Sequence, residues 1–196
     1  LVRDLHEQYV AAGAELVLTN TLCANRTAVE GAGHAVGEIV RAGVRLAKEA
    51  ASGAGAKVAL DVGPLAARLA PWGDMPRGKA AEIFAEQLAA GMQEGPDCVF
   101  LETFTDLEML SIALGEAKKF GLPAFCSMSF AQSGETPAGD AVGEIAARLE
   151  AEGAFAVGLN CSFGPESALG VIKLFAEYTA LPLIFKPNAG MPPEAG

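Results

Sequence analysis

A cysteine with possible reactivity stands at the end of an apolar run. Cys161 follows Asn160 directly, and Ser162-Phe-Gly-Pro165 then leads into a stretch that is typical of a helix. A thiolate at this point would lie near a helix N-terminus, whose dipole favours negative charge. The alternative is a structural cysteine, which is the commoner role of an isolated cysteine.

Two carboxylates also follow apolar runs. Glu102 comes directly after Val99-Phe-Leu101, and Asp61 after Val58-Ala-Leu60. A carboxylate is costly to bury unless a cation pairs with it. A substrate ammonium would supply that cation at a binding site, and an ordinary loop salt bridge would supply it elsewhere. The sequence leaves both interpretations open for both residues.

The runs that precede these residues indicate a parallel sheet. Short apolar segments bounded by Gly or Pro predict strands that are buried on both faces. Six such segments occur, at 15–19, 57–61, 98–102, 124–129, 155–160 and 183–185. Polar groups stand at or just beyond the end of each one: Thr19-Asn20-Thr21, Asp61, Glu102-Thr103, Ser127 to Ser129, Asn160-Cys161 and Asn188.

Helical patterns occupy the segments between the predicted strands. Thr105-Asp-Leu-Glu108 and Thr27-Ala-Val-Glu30 have the spacing of capping boxes. Asp140 and Pro165 are predicted to begin two further helices. Alternating strands and helices with right-handed crossovers give either an open doubly wound sheet or a (βα)8 barrel.

The polar strand ends favour the barrel. A barrel gathers all its strand C-termini around one mouth, whereas an open sheet brings together only those near its switch point. No GxGxxG or Walker loop follows any predicted strand. We therefore predict an α/β fold of the (βα)8 TIM-barrel type.

The strand count predicts an incomplete barrel. A full barrel uses eight strands in about 250 residues, and six are predicted within these 196. We expect residues 1–196 to be a slice from about the second to the seventh strand, without the first strand and the C-terminal βα units. Because such a slice has two open edges, we expect it to aggregate or fold loosely on its own.

Charge and composition exclude several classes of partner. There are 14 Lys and Arg against 24 Asp and Glu, which gives a net charge of −10. A surface of this sign repels phosphate backbones, so we expect no nucleic-acid partner. No apolar run reaches the ~18 residues of a membrane helix, so no membrane partner is expected. The four cysteines form no CxxC pair, which favours a cytoplasmic location.

Four motifs together resemble the homocysteine S-methyltransferase family. They are Ala12-Gly-Ala14 with Thr19-Asn-Thr21, Leu101-Glu-Thr-Phe104, Gly158-Leu-Asn-Cys-Ser-Phe-Gly-Pro165 and Pro187-Asn-Ala-Gly-Met-Pro192. The order and spacing of these motifs agree with those of the family along nearly the whole chain. The residues of these motifs are most similar to those of the homocysteine-binding module of cobalamin-dependent methionine synthase.

The resemblance implies a zinc-dependent methyl transfer to the thiol of homocysteine, which gives methionine. It implies Zn²⁺ on three cysteine thiolates at the barrel mouth, and Cys161 matches the first of these. The metal would bind the homocysteine sulfur and stabilise its thiolate. Glu102 matches the glutamate that holds the homocysteine ammonium. Asn20, Asn160 and Asn188 would line the same mouth as supporting polar groups.

The sequence departs from the family pattern at both ends. The other two zinc cysteines belong to a Gly-Gly-Cys-Cys segment, which would lie beyond residue 196, and the N-terminal Asp-Gly-rich strand is absent. One thiolate cannot close a zinc site. We therefore expect the fragment to bind zinc weakly or not at all and to be inactive alone, while the full-length protein is active.

The resemblance leaves the methyl donor open. Methylcobalamin or methyltetrahydrofolate is one candidate donor, delivered by another domain or as a small molecule. S-methylmethionine, S-adenosylmethionine and betaine are used by other family members. Betaine needs an aromatic cage, and Trp72 is the single tryptophan, so betaine ranks low.

Two alternative functions remain from the residues alone. One is a non-catalytic barrel remnant that has lost the metal. The other is an unrelated metal-free TIM-barrel lyase or aldolase, which would need a Schiff-base lysine at a strand end. Lys186, just before Pro187, is the candidate for that lysine.

Overall fold

The computed structural model describes residues 1–29, 31, 33–131 and 133–190. Glu30 of the second predicted capping box and Met191-Pro192 of the last motif lie outside the described residues. The strands are β1 (Leu16–Leu18), β2 (Lys57–Val62), β3 (Cys98–Phe104), β4 (Ala124–Met128), β5 (Ala156–Asn160) and β6 (Leu183–Lys186). The helices are α1 (Val2–Ala11), α2 (Arg26–Val29), α3 (Val36–Ala51), α4 (Arg77–Met92), α5 (Leu107–Lys118), α6 (Val142–Ala151) and α7 (Pro165–Tyr178).

The six strands form one parallel sheet in the order of the chain, β1 to β6. All six predicted strands are confirmed, within one or two residues at each end. Sequential order with every pair parallel places the connecting helices on one face of the sheet, because right-handed crossovers return on the same side. The prediction of a partial α/β TIM barrel is therefore confirmed. In the described parts of the chain, no helix is long and apolar enough to cross a membrane.

The outer face of the sheet packs against the helices and carries the main core. Leu60, Leu101 and Val157 are fully buried there against helical side chains such as Leu88 and Leu114. Burying a side chain of this size contributes about 1.5–3 kcal/mol. The continuous apolar runs are explained by this packing, because the alternate residues of each strand enter a second, smaller cluster on the opposite face.

The opposite, inner face is concave. The Lys186 ammonium on β6 lies 4.8 Å from the centroid of the Phe100 ring on β3. In a flat sheet those strands would be three spacings, about 14 Å, apart. The sheet must therefore curl strongly towards this face, which brings side chains from distant strands together.

Three helix starts differ from the predictions. Thr27 lies within α2 and does not cap it, and its N–H donates to Asn25 Oδ1 at 3.2 Å. Asp106, not Thr105, caps α5, and its Oδ1 accepts hydrogen bonds from the backbone N–H groups of Glu108 and Met109 at 2.8 and 3.1 Å. Asp140 does not begin α6. Its carboxylate accepts instead from the Leu107 N–H at 3.0 Å, so it also stabilises the start of α5. Both carboxylates bind at the start of α5 because the first turn of a helix has several unpaired N–H groups and favours negative charge. The prediction that Pro165 begins a helix is confirmed.

Gly158 is required where β5 meets β6. A Cβ at this position would lie 2.0 Å from the backbone oxygen of Ile184, its partner in the register. Backbone atoms in a paired strand cannot move aside cheaply. We expect Gly158→Ala to lower the free energy of unfolding of the full-length gene product by about 3 kcal/mol, measured by urea denaturation.

Gly170 on α7 provides the matched control. A Cβ there meets no atom within 4 Å. Gly170→Ala should stabilise the protein by about 0.5–1 kcal/mol, because alanine is the better helix former. Equal effects of the two substitutions would contradict the close contact at Gly158.

Candidate functional site

Asn160 ties three strands together at their carboxyl ends. Its side chain is fully buried, and its Oδ1 accepts hydrogen bonds from the Thr103 N–H at 2.9 Å and the Ser127 hydroxyl at 2.8 Å. Its amide nitrogen donates to Thr103 Oγ1 at 2.7 Å. Because the oxygen already has two donors, Asn160 is suited to holding β3, β4 and β5 in register. These bonds also hold Thr103 at its positive φ of 66°.

Cys161 follows in a left-handed backbone conformation, with φ at 48°. For a residue other than glycine, this region costs about 1–2 kcal/mol and persists only when the surroundings impose it. The Cys161 N–H donates to the Lys186 carbonyl at 3.2 Å, and the Ser162 hydroxyl donates to the Asn160 carbonyl at 3.0 Å. The residue is exposed, which leaves its thiol accessible at the edge where the strands end.

Glu102 already has a cation as its partner. The Lys186 ammonium donates to Glu102 Oε2 and also lies over the Phe100 ring. The Glu102 side chain is 11% exposed, whereas that of Lys186 is 41% exposed. The predicted pairing of Glu102 with a cation is thus met by the chain itself, through a contact across the inner face.

Asp61 is a third ionisable group on this face. Burial, followed by the neighbouring Glu102 carboxylate, raises the pKa of Asp61 to about 8, although Lys186 opposes the shift. The side chain is therefore largely protonated at neutral pH. Its Oδ1 is buried without a hydrogen-bond partner among the described residues. The backbone on either side is fixed, since Asp61 N donates to Thr19 Oγ1 and Asp61 O accepts from Thr21 Oγ1.

Asn20 and Asn188 lie at the same end of the sheet but outside this hydrogen-bonded cluster. Asn20 is exposed just beyond β1. Asn188 follows β6, and its backbone N–H donates to the Phe163 carbonyl at 3.0 Å. The structure therefore joins Glu102, Asn160 and Cys161 through Lys186 and Thr103. The other two asparagines lie outside this cluster of hydrogen bonds.

Cysteine chemistry limits the metals that the described residues can hold. Burial raises the pKa of Cys98 to about 11, and the pKa of the fully buried Cys126 is raised further for the same reason. Thiols of this kind are poor metal ligands, because the ligand is the thiolate. Among the described residues, no three His, Cys, Asp or Glu side chains come together as a metal site. A zinc site of three thiolates does not fit the described residues alone.

Lys186 is the residue whose place in the site the sequence did not indicate. The sequence suggests it only as a Schiff-base lysine, whereas the structure shows it as the ion-pair partner of Glu102. One signal was available. Ile184 and Lys186 are two residues apart in a strand and so lie on the same face, and Ile184 belongs to the apolar inner cluster.

A family model and the curated relatives of this chain indicate the same family. A family model described as homocysteine S-methyltransferase matches residues 1–196. Betaine–homocysteine S-methyltransferase 1 of Rattus norvegicus is 30% identical over 182 residues, which cover 90% of this chain and 44% of the relative. S-methylmethionine–homocysteine S-methyltransferase of the same species is 31% identical over 176 residues, which cover 90% of this chain and 47% of the relative. The chain thus spans about half the length of these curated relatives.

A solved structure supports the fold independently. The homocysteine methyltransferase MmuM from Escherichia coli, in its metallated form, superposes with a TM-score of 0.85 at 21% sequence identity. The match covers 96% of this chain and 72% of that protein. The curled sheet is therefore the same arrangement of strands and helices as in that protein.

Proposed function

Because the chain belongs to the homocysteine S-methyltransferase family, we propose that it forms the homocysteine-binding part of an enzyme that methylates the homocysteine thiol to give methionine. The observation that carries this proposal is the pairing of the buried Glu102 carboxylate with an ammonium group, on the inner face where the strands end. An amino-acid substrate brings an ammonium of the same chemistry.

Each predicted site residue has a part in the proposal. Glu102 binds the homocysteine ammonium, and the exposed Cys161 thiol lies at the edge where the substrate sulfur would arrive. Asn160 positions Thr103 and the start of the Cys161 turn rather than contacting substrate, since its oxygen already accepts two hydrogen bonds. Asn20 and Asn188 provide polar groups at the rim.

Cys161 is the residue of this chain that we propose as a zinc ligand. Cys161 is the thiol that matches the family motif, and no three metal-ligating side chains come together among the described residues. We therefore propose that the other ligands belong to sequence outside residues 1–196. When bound, such a metal would hold the substrate sulfur as a thiolate at neutral pH. The contributions of this chain are the ligand at 161 and the backbone turn that presents it.

Additional sequence would also complete the barrel. Large apolar side chains stand exposed on α7 and β6, among them Leu169, Leu174, Tyr178 and Phe185. Patches of this kind in a soluble protein are usually covered by another element. We propose that βα units outside residues 1–196 cover them and close the sheet.

A methyl-transfer assay on the full-length gene product tests the proposed function. Homocysteine would be offered with methylcobalamin, methyltetrahydrofolate, S-methylmethionine, S-adenosylmethionine and betaine in turn, and methionine would be measured by mass spectrometry. We expect methionine with at least one donor. No methionine with any of them would reject the proposal and favour a non-catalytic remnant.

Removal of the Glu102 charge gives a sharper test of its role. We expect Glu102→Gln to raise the KM for homocysteine about 10- to 100-fold, because a charged hydrogen bond to the ammonium is lost. Steady-state kinetics would measure the change. Glu135→Gln, an exposed glutamate on the loop after β4, should leave the KM unchanged. Similar KM values for wild type and Glu102→Gln would remove Glu102 from the binding site.

A metal-free lyase using Lys186 is less well supported. The Lys186 nitrogen already donates to Glu102, whereas a Schiff base needs a free amine that can attack a carbonyl. Trapping of a carbonyl substrate on Lys186 by borohydride would revive this alternative.

A further inference from the structure

The Lys186–Glu102 ion pair presents the two charges that an α-amino acid carries. Each partner could exchange the other for a substrate group of the same kind. The substrate ammonium would take the place of Lys186 at Glu102, and the substrate carboxylate would take the place of Glu102 at Lys186. One ion pair would become two, and no buried charge would be left unpaired.

The unequal exposure of the two partners shows which one can move. Glu102 is largely buried on the inner face, with 11% of its side chain exposed, whereas 41% of the Lys186 side chain is exposed. Lys186 reaches from β6 across to β3 to make the contact, and a lysine has several freely rotating bonds. The ammonium can therefore leave Glu102 and remain solvated while a ligand enters.

Asp61 provides an independent sign that a donor belongs at this place. Its side chain is 6% exposed, and its Oδ1 is buried without a partner among the described residues. A buried oxygen without a partner costs about 1–3 kcal/mol, and even a neutral carboxyl group keeps an oxygen that accepts a hydrogen bond. Asp61 on β2 and Glu102 on β3 lie on neighbouring strands, and the Glu102 carboxylate contributes to the raised pKa of Asp61. Since a substrate ammonium has three hydrogens, it could serve both acceptors.

We propose that Lys186 binds the α-carboxylate of the amino-acid substrate, while Asp61 joins Glu102 in receiving its α-ammonium. The inference rests on the proposed function for the identity of the substrate, homocysteine. It adds the residues that select a complete amino acid over a simple amine or a simple acid. In the free protein, the Lys186–Glu102 pair keeps both groups in place.

Three thiols that differ by one charged group test this directly. They are homocysteine, 3-aminopropane-1-thiol, which lacks the carboxylate, and 4-sulfanylbutanoate, which lacks the ammonium. KM and kcat for each would be measured with the full-length gene product and its Lys186→Met variant. We expect the variant to raise the KM for homocysteine about 10- to 100-fold. The KM for 3-aminopropane-1-thiol should stay the same or fall, because Glu102 has lost its internal competitor.

Matched variants separate this role from a structural one. Lys173→Met carries the same substitution at an exposed position on α7 and should change none of the KM values. Asp61→Ala should raise the KM for both amine-bearing thiols and leave that for 4-sulfanylbutanoate unchanged. Lys186→Arg, which retains the charge, should recover much of the homocysteine affinity.

The outcomes distinguish the inference from the proposed function. A wild-type protein that does not methylate homocysteine would reject both. The inference alone would be rejected if the wild-type protein methylates homocysteine but Lys186→Met raises the KM for homocysteine and for 3-aminopropane-1-thiol equally, or changes neither KM. The proposed function would then remain. Opposite responses of these two thiols would support it.

Discussion

Replacement of Cys161 by alanine is expected to reduce methyl transfer to homocysteine at least about 10³-fold, because the site loses one of three proposed metal thiolates. The substitution removes an exposed side chain, so the fold should survive it. Zinc content should fall in parallel, since two protein ligands do not make a tight site. The measurements are turnover and metal content of the full-length gene product, with circular dichroism to confirm folding.

Cys23→Ala is the matched control for this prediction. Cys23 is also an exposed thiol, on the turn that follows β1. The substitution should leave turnover and zinc content near wild type. If Cys161→Ala retained both its metal and its activity, Cys161 would be a structural residue and the proposed assignment would fail.

The stability of the protein should respond strongly to Asp61 above neutral pH. Burial raises the pKa of Asp61 from 3.8 to about 8 in the folded state. The folded state therefore holds its proton more tightly than the unfolded state does. The contribution of this more tightly bound proton to the free energy of unfolding is fully present below pH 3.8 and is lost as the pH rises to about 8. Above that pH, the folded protein contains a poorly compensated buried charge.

Asp61→Asn should remove this cost. The shift of about four pKa units corresponds to about 5 kcal/mol at the upper limit, so we expect the variant to gain about 3–5 kcal/mol over wild type at pH 9. The difference should shrink progressively towards pH 5. Urea denaturation of the full-length gene product at several pH values would measure both effects. Asp74→Asn, at an exposed position on the loop after β2, should show neither. A difference between Asp61→Asn and wild type that does not change with pH would contradict the burial of an ionisable Asp61.

The strands could be predicted from the sequence because local patterns determine them. Apolar runs bounded by Gly or Pro located all six strands, and Pro165 located the start of α7. Helix caps were less predictable. Thr105 and Asp106 are adjacent and both can cap, and the carboxylate of Asp106 makes the bonds. Asp140 caps a helix that precedes it in sequence, which only the tertiary structure could show.

The Lys186–Glu102 pair could not be predicted from the sequence. The two residues are 84 positions apart, and their contact depends on how far the sheet curls between β3 and β6. The sequence showed that Glu102 needs a cation, but not that the chain supplies one. Asn160 is similar. Its position at a strand end was correctly predicted, but its hydrogen bonds to Thr103 and Ser127 depend on the register of three strands.

A crystal structure of the full-length gene product with homocysteine would test the central claim most directly. We predict that the ligand lies on the inner face of the curled sheet, with its ammonium at Glu102, its carboxylate at Lys186 and its sulfur towards Cys161. Homocysteine bound elsewhere on the molecule, with the Lys186–Glu102 pair intact and Cys161 remote from the sulfur, would contradict that claim.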